Sequence, residues 1–301
     1  MPDMKRHIHV MKDYLVRAIS DEYNVRAIAC ITTGLVSKAC NRHKTFPTAS
    51  AALGRALTGG LLLGALLDFG QRVALVFDGK GPLGKVMVEA VSSGSVKGYV
   101  KNPQTELDLI NGKLDVAGAV GKDGFLIVTK DLGLKDPYRG IVRLASGEIA
   151  SDIAYYLTES EQIPSAVGLG VFVDKDSLIS TAGGFLVQTL PPSDDSVIDE
   201  LVDRIQSMPT VTEQLRNGIS PEGILEAILG SITFKILEKR HLFYRCSCSR
   251  ERIEQALITL GRSGLESVLH DEEDIDIKCE FCCRVYIFKR AEISRLLDEM
   301  H

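Results

Sequence analysis

The chain has 301 residues, 45% of them hydrophobic and 25% charged, a composition that supports one large packed core plus a smaller module and excludes wholesale disorder. Its net charge of −5 and pI near 5.8 argue against a general phosphate-binding surface. The longest apolar run, residues 59–67, falls well short of the roughly 18 to 20 residues of a membrane span, and the N-terminus carries no targeting pattern, so the expected location is cytoplasmic.

Residues 24–39 are rich in β-branched side chains and predict a strand; Cys30 within this N-terminal segment and Cys40 at its end read as buried thiols acting as small hydrophobes. A helix opens at Pro47 and Thr48 and continues to about Leu67, with Gly60 and Gly64 allowing a close contact. Short β-like runs separated by Gly, Asp-Gly and Pro turns fill residues 72–187, interrupted by one helical stretch, residues 148–162. Hairpins rather than βαβ units are expected. Gly79 to Gly84 spell G-x-G-x-x-G, but a strand follows where a dinucleotide loop needs a helix, so the motif reads as a hairpin turn. At residues 190–196 two prolines and a polar cluster mark a break, after which short helices follow, with Pro209 and Pro221 starting new ones.

The tail holds five of the seven cysteines. Cys246-x-Cys248 and Cys279-x-x-Cys282 supply the four thiolates of a closed tetrahedral Zn²⁺ site. The first pair precedes a helix with Ser249 as N-cap, an apolar stripe of Ile253, Ala256, Leu257 and Leu260, and Gly261 as its stop. The second pair lies in a knuckle between two strand-like runs, ahead of a final helix over residues 291–300. Metal would pin a module too small for its own core. The tight C-x-C has a second use, because Cα atoms two residues apart along a strand are about 6.6 Å apart and a small turn would let the two sulfurs bond. Structural zinc contributes on the order of 10 to 16 kcal/mol to such modules, whereas disulfides closing three- or four-residue loops contribute about 1.5 to 2 kcal/mol each. Oxidation to local disulfides would therefore release zinc and unfold the tail. The acids of residues 270–276 read as a solvated turn.

The fold class expected is α+β, with a hairpin-rich mixed-sheet core and packed helices over residues 1–190, a helical linker over 191–240 and a small zinc-binding α+β domain over 241–301. No nucleophile elbow is visible and the six histidines are scattered, so no catalytic residue is expected. An enzyme reading survives only as a thiol–disulfide oxidoreductase using the C-x-C or C-x-x-C dithiol, against which stands the missing thioredoxin-like βαβ context. A nucleic-acid-binding zinc knuckle is disfavoured by the nine Lys/Arg against twelve Asp/Glu of residues 241–301.

The blocks PTASAALGRALTG from Pro47, GPLGKVMVEA from Gly81, KDLGLKDPYRGIVRLASGEIASDIAYYL from Lys130, AGGFLVQTLP from Ala182, CSCSRER from Cys246 and CEFC from Cys279 resemble, in order, the heat-shock protein 33 family of redox-regulated holdase chaperones. The resemblance implies a non-enzymatic, ATP-independent cytoplasmic stress protein, inactive when reduced with zinc on Cys246, Cys248, Cys279 and Cys282. It implies activation by the disulfides Cys246–Cys248 and Cys279–Cys282 with loss of zinc and unfolding of the switch. The expected partners are unfolding client proteins, a second copy on oxidation (the reduced form being monomeric) and a heat-shock protein 70 type foldase, with neither nucleic acid nor membrane. Two features depart from the family pattern. Cys283 is an extra thiol able to compete with Cys282, and residues 1–10 precede the family's first block, leaving either an extension or a start at Met11.

Overall fold

The computed structural model describes residues 12–192, 194–271 and 274–298, and forms two compact units divided between Tyr244 and Arg245. Residues 1–10, Met11 and part of the acidic run at 270–276 lie outside the described residues. The first unit opens with an antiparallel pair, β1 (Tyr14–Ser20) and β2 (Val25–Ile31), followed by two helices, α1 (Thr33–His43) and α2 (Pro47–Gly64). The strand expected over residues 24–39 is thus correct only for its first half, since residues 33–39 are helical. The cause is non-local. The Asp13 carboxylate, from the segment ahead of β1, accepts the Gly34 and Leu35 N–H groups at 2.9 and 2.5 Å and satisfies the helix N-terminus. Leu35, Val36, Ala39, Cys40 and His43 then bury one helical face. Cys30 and Cys40 are both buried in the main core, as expected.

Helix α2 starts with Pro47 at its first turn, and only Pro47 and Arg55 of its residues escape burial. A helix apolar on every side must be enclosed, and α2 packs against strands of both sheets. At Gly60 an added Cβ would stand 2.8 Å from Val88 Cγ1, so this glycine sets the closeness of helix and strand.

Next come β3 (Arg72–Asp78), β4 (Lys85–Val91), β5 (Ser95–Val100), the short α3 (Val116–Val120), β6 (Phe125–Asp131) and β7 (Tyr138–Arg143). Helix α4 (Ile149–Glu159) and the long hairpin of β8 (Ser165–Val173) and β9 (Ile179–Thr189) complete the core. Residues 79–84 join β3 to β4 as a hairpin connection, and a Cβ at Gly79 would collide with the Gly121 carbonyl at 2.1 Å. Gly79 and Gly81 there allow close backbone approach to residues 119–121.

The connector contains α5 (Asp195–Ser207), α6 (Val211–Arg216) and α7 (Pro221–Leu229), and then β10 (Lys235–His241) and β11 (Phe243–Tyr244). Residues 235–240, expected to be helical, are strand, because β10 pairs antiparallel with β1 along the sheet edge. The result is a five-stranded sheet ordered β10-β1-β2-β9-β8 and a six-stranded sheet ordered β11-β5-β4-β3-β6-β7. The observed class is α+β, and only the β11–β5 pairing is parallel among the described strands.

Alternation along the five-stranded sheet separates two cores. Leu15, Ile28, Cys30 and Leu186 face α2, whereas Val16, Ala18, Val25, Ala27, Ala29, Ile31, Phe185 and Val187 face the connector. Onto that second face pack Val197 and Leu201 of α5, Leu215 of α6 and Ile224, Leu225, Ile228 and Leu229 of α7. The connector is a lid over an apolar sheet face.

An acid fastens it. Glu222 of α7 accepts from Tyr14 Oη at 2.7 Å and pairs with Lys239 Nζ at 2.5 Å. Partial burial opposes its charge, but these two donors outweigh it and hold the carboxyl down at about 2. A folded pKa below the unfolded value gives stability that is full above the unfolded pKa and is lost as pH falls toward 2. Hydrogen exchange in α7 should therefore accelerate as pH drops below about 4.5, after correction for the intrinsic rate, and Glu222→Gln should flatten that dependence. An unchanged profile in Glu222→Gln would assign the effect to another carboxylate.

Candidate metal centre

The second unit, beginning at Arg245, contains α8 (Arg250–Ile258), α9 (Gly261–Asp271), the hairpin β12 (Asp274–Lys278) and β13 (Val285–Lys289), and α10 (Arg290–Asp298). Ser249 caps α8 as the sequence predicts, its Oγ accepting from Arg252 N–H. The predicted stripe is only partly realised. Ile253 and Leu257 turn inward, but α8 stops at Ile258, so Leu260 sits in the following turn and is exposed. Gly261, at φ +75°, begins α9, a helix absent from the sequence expectation.

The module also has more core than expected. Leu257, Leu265, Phe288, Ile293, Leu296 and Leu297 bury together. Arg250 lies 4.1 Å over the Phe288 ring and donates to the Ile287 carbonyl and the Glu292 carboxylate at 2.9 and 2.8 Å.

Cys246 and Cys248 sit on the segment ahead of α8, and Cys279 and Cys282 in the β12–β13 turn. That turn is closed by Cys279 N–H to the Arg284 carbonyl at 2.9 Å and by Cys282 and Cys283 N–H to the Cys279 carbonyl at 3.3 and 2.8 Å. The four Sγ atoms lie within 4.8 Å of one another, a grouping that can hold a metal ion. A tetrahedron with Zn–S bonds of about 2.3 Å has S···S edges of about 3.8 Å. The Cys246–Cys279 separation is 3.8 Å and Cys248–Cys282 is 3.4 Å, so the donor set fits such a site. These two approaches cross between the sequence pairs.

The electrostatics also call for a cation. Burial disfavours charge on Cys248, yet hydrogen bonds from Tyr286 Oη (3.1 Å) and the neighbouring thiols prevail and bring it down to about 7. Burial and the adjacent cysteines push Cys246 and Cys282 upward. A divalent cation would offset the burial that opposes charge on Cys246 and Cys282. Tyr286, unforeseen in the sequence, lies two residues along β13 from the buried Phe288, a spacing that puts both on one strand face.

Cys283 is not among the four grouped sulfurs. Its φ is +58°, a left-handed conformation that costs a residue with a Cβ about 1 to 2 kcal/mol. Cys283→Gly should remove that strain, and after the added chain entropy of glycine leave the tail about 0.5 to 1 kcal/mol more stable, with bound zinc unchanged. Loss of zinc in that variant would make Cys283 a ligand.

The unit's sheet is a two-stranded antiparallel hairpin, and its described residues contain no parallel βαβ element of the kind a thioredoxin-like dithiol uses. Among the described helices none is long and apolar enough to cross a membrane.

Residues 13–289 match the family model described as Hsp33 protein. The chain is 59% identical to the 33 kDa chaperonin of Geobacter sulfurreducens over 291 residues, covering 97% of each, and 44% identical to that of Bacillus cereus, covering 96% of this chain and 100% of the relative. The crystal structure of the 33 kDa chaperonin (heat shock protein 33 homolog) from Thermotoga maritima superposes with a TM-score of 0.89 at 36% identity, covering 96% of this chain and 99% of that one.

Proposed function

The chain belongs to the Hsp33 family of chaperones, and from that membership we propose that it is a cytoplasmic, ATP-independent holdase whose four-cysteine tail is a redox switch. The observation that carries the proposal is the gathering of the Cys246, Cys248, Cys279 and Cys282 sulfurs within 4.8 Å of one another in a unit separate from the sheet core. In the reduced state these four residues would hold Zn²⁺, which supplies charge neutralisation and a cross-link between the segment ahead of α8 and the β12–β13 turn.

Activation is chemistry of the thiolates. A peroxide oxidises Cys246 and Cys248 to a disulfide, the two sulfurs giving up two electrons and the peroxide leaving as two waters once two protons are taken up. Cys279 and Cys282 react likewise with a second peroxide. Each bond withdraws two ligands, and neither ties the two halves of the tail together. The remaining apolar cluster is small, so the unit unfolds. The connector then loosens from the five-stranded sheet and uncovers its apolar face, which with the connector's own apolar side chains binds unfolding clients. The freed surfaces also favour dimers, and clients pass to a foldase of the heat-shock protein 70 type.

Light scattering by a thermally unfolding client tests this. Zinc-loaded reduced protein should leave aggregation unchanged, and protein treated with peroxide at elevated temperature should suppress it near stoichiometry. Equal suppression by the reduced form would refute the switch.

A further inference from the structure

A metal site depends on the groups that hold its ligands as well as on the ligands themselves. Tyr286 lies on β13, in the hairpin that carries Cys279 and Cys282, yet its hydroxyl donates to a sulfur of the other pair, Cys248 Sγ, at 3.1 Å and across 38 residues of sequence. Arg284 donates to the same phenolic oxygen, which leaves the hydroxyl hydrogen for the sulfur. The ring is half-buried, stands opposite Ile277 across the hairpin, and packs on the apolar cluster that Phe288, two residues on, helps to build. Hydroxyl and ring therefore have separate partners, one a sulfur and the other the core. Arg252 also grips the C-x-C segment, donating to Ser247 Oγ and to its carbonyl at 2.7 and 3.1 Å. That contact sets the backbone between the two cysteines, whereas Tyr286 acts on a sulfur directly.

We infer that Tyr286 is a positioning residue of the metal centre, whose hydroxyl keeps Cys248 Sγ aimed into the four-sulfur cluster and slows its attack on oxidants. This role presumes the metal reading above and adds a residue to it. A thiolate that accepts an O–H hydrogen bond has part of its charge already engaged, so it is a better fixed ligand and a poorer nucleophile. The second property matters because oxidation begins at sulfur. The Cys248 thiolate attacks one oxygen of a peroxide, an S–O bond forms as the O–O bond breaks, and hydroxide leaves with the electron pair, so that the sulfur has given up two electrons. The Cys246 thiolate then displaces a second hydroxide from that sulfur and closes the disulfide. The first of these steps draws on the electron density that the Tyr286 hydroxyl engages.

Full-length reduced protein, loaded with zinc or with cobalt as its spectroscopic stand-in, tests the role in Tyr286→Phe, which keeps the ring and removes the hydroxyl. Competition with a chromogenic chelator should show zinc held about tenfold less tightly, and the peroxide-dependent rate of zinc release should rise about three- to tenfold. The sulfur-to-cobalt charge-transfer band should shift, because the donor strength of one sulfur has changed, while hydrogen exchange in the metal-loaded tail stays at the wild-type level. Phe288→Leu loosens the same apolar cluster without touching a sulfur, and should raise tail exchange yet leave the band in place. If tail exchange rises in Tyr286→Phe as well, the band decides, since it reads the sulfurs and not the fold. Wild-type affinity, release rate and band in Tyr286→Phe would overturn the role, as would a Phe288→Leu protein that reproduces all three changes. A wild-type chain that binds neither ion through its thiolates overturns the metal reading itself, and the role of Tyr286 with it.

Discussion

Cys279→Ser should lower bound zinc from one ion per chain to near none and leave residues 245–298 without a cooperative fold, while the unit ending at Tyr244 keeps its own unfolding transition. Cys279 is buried at 8% exposure, and its N–H closes the β12–β13 turn onto the Arg284 carbonyl, so the position would serve both ligand and turn. A hydroxyl is a far weaker zinc ligand than a thiolate, and the metal contribution at stake is on the order of 10 to 16 kcal/mol. Six buried apolar side chains do not replace it in a unit of this size. Zinc assay together with circular dichroism and proteolysis measures the outcome. A tail that resists protease without zinc would show that its apolar cluster suffices, and that metal loss alone does not drive the switch.

Uncoupling the connector should produce the opposite phenotype, a reduced and zinc-loaded protein that already holds clients. Ile228 is fully buried between α7 and the sheet, among Ile224, Leu225 and Leu229. Ile228→Ala should cost about 2 to 5 kcal/mol of connector docking, and Ile228→Asp more, because it places a carboxylate in an apolar interface. The main core on the other side of the sheet is left intact. Aggregation suppression by the reduced variants, measured with zinc content and connector exchange, should rise from none in wild type to near the oxidised level in Ile228→Asp. A variant whose connector exchanges freely, yet leaves aggregation untouched, would remove this sheet face from client binding.

These expectations show what sequence could and could not reveal. The hairpins of residues 72–187 were legible because alternation and Gly-rich turns are local signals, and α2 was legible from Pro47 and a continuous run of small and apolar residues. The cysteine spacing was the most specific signal, since a metal site needs ligand types at short separations. Helix α1 was misread because Ile31, Thr32, Thr33 and Val36 look like a strand, and the group that settles the matter, the Asp13 carboxylate, lies some twenty residues away. Likewise β10, KILEKRH, is charge-rich and has no clean period-2 alternation, and only its pairing with β1 makes it a strand. Tyr286 escaped notice because a tyrosine in sequence carries no mark of what its hydroxyl meets.

In the proposed switch, the state of four sulfurs controls the cover over an apolar sheet face. The most direct test is hydrogen exchange on the same sample before and after peroxide at elevated temperature, with zinc release followed in parallel. Release of one zinc per chain is expected, with loss of protection in residues 250–298 and then in α5, α6 and α7, and unchanged protection in β3, β4 and β6. Full zinc release with the tail and connector still protected would contradict it.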